Sequence, residues 1–560
     1  MHELTGGQKA RCAVREFKTI TDALAIKGEY RQNGKTGHSL ERCLLNLSPE
    51  IYGSMNDPRV VELNGMEYVI DRLPRGIEEC NRVILTEEDP LGNDAFERTE
   101  PYKRRRTCYC VGKNEMCFVI SRGLSEIYDI VTHLTFLNVE AKKIHGKMKD
   151  STGKTSIEWH ELEKAVQNMD RFSAADLDQA LWDLSIILGR PYQETRSTYE
   201  RLEKSKKSFG SNNGLFSLVY HLGRRVEAEQ QSWNNALTIY LTPSLMNIIG
   251  YHEYEKKWAR HIHETLHALN LVERPLHIIS ANLHSVRNTL YAYAAMGGEA
   301  VSGEDPYEFA LRARDCGEEI KDFAAKRGFH EIKDESGCHV GCQVIDTALL
   351  GPVPFHPEID MGKSRIKKDG PVIVVIDYAF GAQAFELMEN LLEPHVSGET
   401  VMRFHFGSVS IMGKAGILPG KKGDIMLPTA HIVEGIGDNY IFDNDLKEED
   451  FEGSDGVFTG PMATVLGTSL QNRHMLTEFE AGWKIIGLEM EGGHYQRAIG
   501  AAIIKGNVSK DIKVRYAYYA SDNPLETGNT LAAGAMEKEG VKPTYMITQK
   551  ILTKILGPRD

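Results

Sequence analysis

The sequence predicts an α/β protein built in two parts, a large and mostly α-helical N-terminal region followed by a C-terminal three-layer α/β/α domain. Three observations predict it. Apolar residues between Leu124 and Leu271 recur at helical spacing, as in Leu124-Ile127-Ile130-Val131-Leu134 and in Leu177, Leu181, Leu184 and Ile187. The last third instead alternates short β-rich runs with helical stretches, the pattern of helices packed on a largely parallel sheet. At 560 residues the chain also exceeds what one ordinary core holds.

The composition, 41% apolar and 26% charged, is that of a soluble globular protein. A net charge of −13 argues against a nucleic-acid partner, whose binding would rest on neutralised phosphates. No run approaches a membrane span, and Met1-His2-Glu3-Leu4-Thr5 opens no signal-length apolar core, so a cytoplasmic protein with no membrane partner is expected. The nine cysteines suit reduced thiols. Cys108-x-Cys110 and Cys338-His339-x-x-Cys342 do not make a four-ligand site, and no metal or cofactor is expected.

Taken in order, residues 1–273 read as a mixed, α-rich domain. Gly65 to Cys80 suggests a helix, and Thr86 to Arg106 is polar, closing on Lys103-Arg104-Arg105-Arg106, read as a solvated loop. Helical patterns then run through Trp258 to Leu271. Residues 274–365 form an α/β connecting segment, with Leu276 to Ser280 as a strand and Asn282 to Ala295 as a helix. The polar stretch Gly362 to Gly370 sets a boundary near 365. In residues 366–560, strands are predicted at Pro371–Ile376, Phe404–Met412 (closed by Gly413-Lys414-Ala415-Gly416), Asp424–Pro428, Ile485–Leu488 and Val514–Ala520. Helices are predicted at Ala382–Leu392, Tyr495–Ile504 and Pro543–Leu556.

Two phosphate-loop lookalikes, at Gly34-Lys35-Thr36 and Gly153-Lys154-Thr155, lack the first glycine and a preceding strand. His263-Glu264-Thr265-Leu266-His267 has the HExxH spacing of a zinc hydrolase, although its flanking charges suggest an exposed face. More specific are two acidic motifs, each at the end of a predicted strand. Glu489-Met490-Glu491 follows Ile485 to Leu488, and Ser521-Asp522-Asn523-Pro524 follows Val514 to Ala520. Strand carboxyl ends are where α/β sheets present ligands.

Together, Gly-Leu-Glu-Met-Glu-Gly at 487–492 and Ser-Asp-Asn-Pro-Leu at 521–525 resemble the nucleoside phosphorylase/nucleosidase superfamily, and are most similar to its AMP nucleosidases. Gly413 to Leu418 and Gly423 to Leu427 resemble the family's glycine turn and the segment after it, and Thr468 to His474 falls at its base-pocket loop. The resemblance covers about 190 residues, from Pro371 to Leu556. It implies a nucleoside-phosphorylase-like catalytic domain for residues 366–560, and a homo-oligomer, trimer or hexamer.

The resemblance implies a purine nucleotide or nucleoside as ligand, with AMP hydrolysed to adenine and ribose 5-phosphate. Asp522 would be the acid that helps the base depart, Glu491 the acceptor for the ribose hydroxyls, and Met490 the contact on the sugar face. Asp377, in the turn after Pro371–Ile376, would activate water, since no Arg or Lys follows it through Phe385 to hold phosphate. Glu489, Ser521, Asn523, Gly413, Lys414 and Arg473 complete the expected substrate-binding set, with Lys421 and Lys422 as further cations. A strand-end carboxylate can also simply cap a helix, so structural roles stay open.

Phosphorolysis, with phosphate as substrate or regulator, is one alternative; a non-catalytic nucleotide sensor is another, and the HExxH hydrolase a remote third. The sequence departs from the family in three ways. Asn523 stands where an AMP enzyme is expected to carry Lys, the span from Asp377 to Gly413 is short by a strand and helix, and the region before the match is unusually large. Leu276 to Ala295 could supply the missing unit, bringing His277, Asn282, His284 and Arg287 to a shared site.

Overall fold

The computed structural model describes residues 4–90, 95–168, 172–247, 253–298, 304–363, 366–397, 400–454, 456–526 and 538–558. The chain divides into two compact units, residues 1–250 with 469–475, and residues 251–468 with 476–560. The expected boundaries therefore move. The helix expected to close the N-terminal domain buries Trp258, Ile262 and Leu266 in the core of the second unit. The linker near 365 separates no domains, because strands on either side of it pair in one sheet.

The first unit combines helices with a sheet that the helical periodicity did not reveal. Thr5 and Gln8 form a capping box at the start of Gly6–Lys27, and Ser173 with Asp176 does the same for Ala174–Leu188. The six-stranded sheet runs in the order Glu29–Arg31, Thr238–Leu241, Arg82–Thr86, Glu115–Val119, Thr107–Gly112, Glu97–Arg98. Its central strands are parallel. Gly123–His145 is apolar or buried on nearly every side, as a helix inside a core must be. The run at 103–106 is solvated only in part: Lys103 and Arg105 are exposed, but Arg106 is 2% exposed and pairs with Glu126 and Asp129. The excursion Ser469–Met475 belongs to this unit, where the Asn472 side chain donates to Leu47 O at 2.9 Å and to Ser48 O at 3.3 Å.

In the second unit the elements used below are α1 (Glu253–Ala268), β1 (Pro275–Ser280), α2 (Leu283–Ala295), β2 (Phe329–Ile332), β3 (Cys342–Asp346), β4 (Val372–Ile376), α3 (Gln383–Leu391), β5 (His405–Ile417), β6 (Ile425–Val433), β7 (Asn439–Ile441), β8 (Val457–Thr464), β9 (Gly487–Glu489), α4 (Gly492–Ile504), β10 (Lys513–Asp522) and α5 (Val541–Leu556). The sheet order is β7-β6-β8-β9-β5-β1-β4-β3-β2, with β10 paired to both β5 and β6. It is mixed rather than largely parallel, since β2–β3, β3–β4, β5–β9, β6–β7 and β6–β10 are antiparallel.

Alternate residues of the central strands face opposite layers. Ile278, Val372, Val374 and Ile376 pack with α1, α3 and α4, whereas Ile279, Ile373 and Val375 pack with α2 and α5. Strands buried on both faces explain why Val372–Ile376 reads as an unbroken apolar run. β1 lies parallel between β4 and β5, so the strand and helix at 275–295 fill the gap left by the short span from Asp377 to Gly413.

The pairings β5–β9, β9–β8, β8–β6, β6–β10 and β10–β5 also close on themselves, making a small barrel at one end of the sheet. A Cβ on Gly487 would run into Met426 and Met462, which is why that strand carries a glycine there. Among the described residues no helix is long and apolar enough to cross a membrane.

Candidate active site

The two acidic motifs meet through β5. Gly416 is paired to Leu488 of β9 on one edge and to Asp522 of β10 on the other. Gly413 to Gly416, expected as a closing turn, are thus strand residues, all paired to β10, with Gly416 paired to β9 as well.

Glu489 is the buried support of the first motif. Its carboxylate accepts the backbone N–H of Glu491 at 2.6 Å, that of Gly492, and the Thr464 hydroxyl. It therefore satisfies the first amides of α4. Burial alone would raise its pKa, but His431, 3.4 Å away, together with the Gly492 amide and Thr464, holds it below the ordinary carboxylate range. Glu491 is freed for a different task. Its Oε1 accepts the N–H of Gly381 at 2.9 Å, tying the end of β9 to the turn after β4.

A cavity of about 170 Å³ opens where these ends converge. Glu491, Gly413 and Lys414 line it, together with Tyr378 and Ala379 from the turn after β4 and Ser280 from the end of β1. Tyr495 and Tyr518 form further wall, with Ser280 Oγ and Tyr495 OH 3.0 Å apart. The Tyr518 hydroxyl is buried without a partner among the described residues. Carboxylate, ammonium and phenol groups on an apolar floor suit a polyhydroxylated ligand bearing an aromatic or anionic end.

Asp522 is 6% exposed, and Ser521 Oγ donates to its Oδ1 at 2.5 Å. Its Oδ2 is buried without a partner among the described residues. Burial raises its pKa to about 6, against the hydrogen bond from Ser521 and the charges of Lys414 and Lys422. Lys414 thus both lines the cavity and acts on Asp522. A carboxyl half-protonated at about pH 6 can deliver a proton.

The remaining expected residues divide. Asp377 stands just before the lining pair Tyr378 and Ala379; its Oδ1 accepts the Tyr378 N–H at 2.9 Å, and its own N–H donates to Gly341 O at 2.9 Å. Met490 is half-buried in the turn between Glu489 and Glu491. Ser521 serves Asp522, as described. Asn523 is committed to its own neighbourhood, donating to Leu418 O at 2.9 Å and Gly420 O at 2.8 Å, and accepting from the Leu525 N–H at 2.9 Å. Lys422 pairs with Glu539 at 2.5 Å. Arg473 and the rest of Ser469–Met475 group with the first unit, where the Arg473 N–H donates to Glu50 at 3.0 Å.

Sequence reasoning missed Ser280 and the three tyrosines as site residues. Tyr495 and Tyr518 stand inside the motif stretches, yet aromatic residues in a strand or helix read equally well as core. The HExxH match does not form a metal site. The His263 ring is 4% exposed, lies 3.1 Å from Leu391 O through Nε2 and packs on Phe404, whereas Glu264 and His267 face solvent. Among the described residues no group of three His, Cys, Asp or Glu side chains could hold a metal ion.

A family model described as a family of unknown function (DUF6909) matches residues 38–302 and 307–557. No curated protein matches the sequence. Several solved structures are similar over half of the chain. The 5′-methylthioadenosine/S-adenosylhomocysteine nucleosidase of Campylobacter jejuni is 11% identical, with a TM-score of 0.31, covering 50% of this chain and 97% of that one. A mutant futalosine hydrolase of Helicobacter pylori is 12% identical, with a TM-score of 0.29, covering 50% and 96%. The methylthioadenosine/S-adenosylhomocysteine nucleosidase of Streptococcus pneumoniae, solved with a transition-state inhibitor, is 12% identical, with a TM-score of 0.30, covering 50% and 99%.

Proposed function

The chain belongs to the DUF6909 family, whose function is unknown, and we propose that it is an N-glycosidase that hydrolyses a purine nucleotide, AMP and water giving adenine and ribose 5-phosphate. The observation that carries this reading is the pairing of Gly416 with both Leu488 and Asp522, which brings a protonatable carboxyl and the Glu491 cavity to one end of the sheet.

As the bond from C1′ to N9 breaks, its electron pair stays on the purine, and Asp522 gives its proton to the base. The sugar gains positive charge, which Glu491 stabilises by accepting hydrogen bonds from the ribose hydroxyls. Water adds its oxygen to C1′ and loses a proton to Asp377. Lys414 meets the 5′-phosphate, Met490 packs on the sugar, and Tyr518 offers a phenol to the ligand. Solvent returns the proton from Asp377 to Asp522. Glu489 positions Glu491 rather than touching substrate.

Release of free base from AMP, adenosine and inosine, followed with and without added phosphate, tests the reading against Asp522→Asn. Phosphate-independent adenine release from AMP that is lost in the variant is the expected result. No release from any of the three would remove the proposal. A phosphorolytic reading has one observation of its own: in the first turn of α2, after β1, His284 is pushed down in pKa by burial and by the nearby charges of Arg314 and Arg287. Base release that requires phosphate, with ribose 1-phosphates as products, would favour it.

A further inference from the structure

The basic run at 103–106 has no part in the reaction above, yet the first unit builds it into a dense buried cluster. Arg72, Arg106 and Arg122 are 5%, 2% and 6% exposed. Arg104 joins them with a side chain 17% exposed, giving the cluster an edge on solvent. Two carboxylates sit among them, and both are shared. Glu126 pairs with Arg106 and Arg122, each at 3.0 Å, and Asp129 with Arg106 at 2.5 Å and Arg104 at 3.1 Å. Buried charge of one sign is costly, and a guanidinium does not relieve it by losing its proton. Asp71, next to Arg72, is matched by Lys103 at 2.6 Å, so four arginines around the other two carboxylates leave room in the charge balance for a dianion.

Arg72 shows where such an ion would be held. Its guanidinium lies 3.5 Å from the Tyr68 ring centroid and donates through Nη1 to Tyr68 O at 2.7 Å. Its Nε is buried with no partner among the described residues. Arg106 Nη1 donates to the carbonyl of Arg72 at 3.0 Å, which keeps the two residues side by side.

The backbone beside Arg122 is itself shaped to take negative charge. The strand Glu115–Val119, parallel to Arg82–Thr86, leads through Ser121 and Arg122 into the 23-residue helix Gly123–His145, where Glu126 Oε2 already accepts the N–H groups of Ser121 and Arg122, each at 3.2 Å. The turn into that helix needs Gly123 at φ 67°. Helix N-termini and the carboxyl ends of parallel strands both favour negative ligands.

We propose that Arg72, Arg104, Arg106 and Arg122 form a binding site for a tetrahedral oxyanion, either free phosphate or the phosphoryl group of a small metabolite, separate from the nucleotide cavity of the second unit. Planar guanidinium forks match phosphate oxygens two at a time.

Titration of the full chain with inorganic phosphate and with glycerol 2-phosphate, read by calorimetry and by thermal shift at constant ionic strength, tests the proposal. Arg72→Met keeps the stem packing and leaves the Glu126 and Asp129 pairs intact, so it should fold and weaken phosphate binding by about tenfold or more. Lys414→Ala, which removes the cation of the other cavity, should leave that binding unchanged. Tighter binding of glycerol 2-phosphate than of phosphate would identify the phosphoryl group of a metabolite as the ligand, and the reverse would identify the free ion. Absence of phosphate binding in the unaltered chain, or undiminished binding in a folded Arg72→Met, would overturn the proposal. Because none of these readouts uses base release, the result stands apart from the nucleosidase question.

Discussion

At the residue scale, Asp522 carries a stability cost that its replacement should relieve. Its pKa in the folded chain, about 6, lies above the ordinary 3.8. Between those values the folded state binds more protons than the unfolded state, so stability falls as pH rises through that window and the loss is complete above about pH 6. The upper bound on that loss is about 3 kcal/mol. Asp522→Asn should therefore raise the melting temperature at pH 8 and much less at pH 4, while abolishing base release. An equal shift at both pH values would assign the effect to packing. In the unaltered protein, base release should decline above about pH 6 as the acid ionises, which a pH–rate profile reads directly. Glu491→Gln should lower kcat by about a hundredfold, because an amide stabilises developing sugar charge poorly.

Elements depend on side chains that never meet a ligand. The N-terminus of α4 is held by Glu489, with Thr464 and His431 behind it. Glu489→Gln keeps the shape but loses the charge, and should cost about 1–3 kcal/mol in denaturant unfolding. Gly492→Ala should do more damage, because its Cβ would meet the His431 ring and crowd the Tyr518 hydroxyl. A loss of more than about 3 kcal/mol, or no soluble protein, is expected from that overpacking.

The same elements show what the sequence makes legible. β1, β4, α3 and α4 lie within a residue or a few of their predicted bounds, because unbroken Val/Ile runs and helical spacing are local signals. β5 does not stop at Met412: Gly413 and Gly416 punctuate the sequence pattern, yet both continue the ladder with β10, and Gly416 also pairs with β9. In the same way Lys103-Arg104-Arg105-Arg106 reads as solvent-facing, since nothing local announces Glu126 and Asp129 waiting on a helix that begins 17 residues after Arg106. Pairing partners far apart in the chain leave no periodicity to find.

At the scale of the whole molecule, the family resemblance marks a stretch that is not a folding unit. Residues 366–560 lack β1, which stands between β4 and β5, as well as the β3 partner of β4. Expressed alone they should give no cooperative unfolding transition, whereas a fragment beginning at residue 251 contains every strand of that sheet and should show one by circular dichroism. Cooperative melting of 366–560 alone would mean that β1 is dispensable. The acidic motifs could be read without β1 because each is contiguous; Leu276 to Ser280 also reads as a strand, but its place between β4 and β5 depends on topology.

The seven-residue excursion Ser469–Met475 imposes an order on biosynthesis. A ribosome finishes the first 250 residues of that unit and must add roughly 220 more before the Asn472 side chain can reach the carbonyls of Leu47 and Ser48. At translation rates of about 5–20 residues per second, the nascent unit waits on the order of 10–45 s with that position unfilled. The chain is therefore poorly suited to division at residue 250 by gene fission or by proteolytic nicking during synthesis, even though a compact boundary falls there.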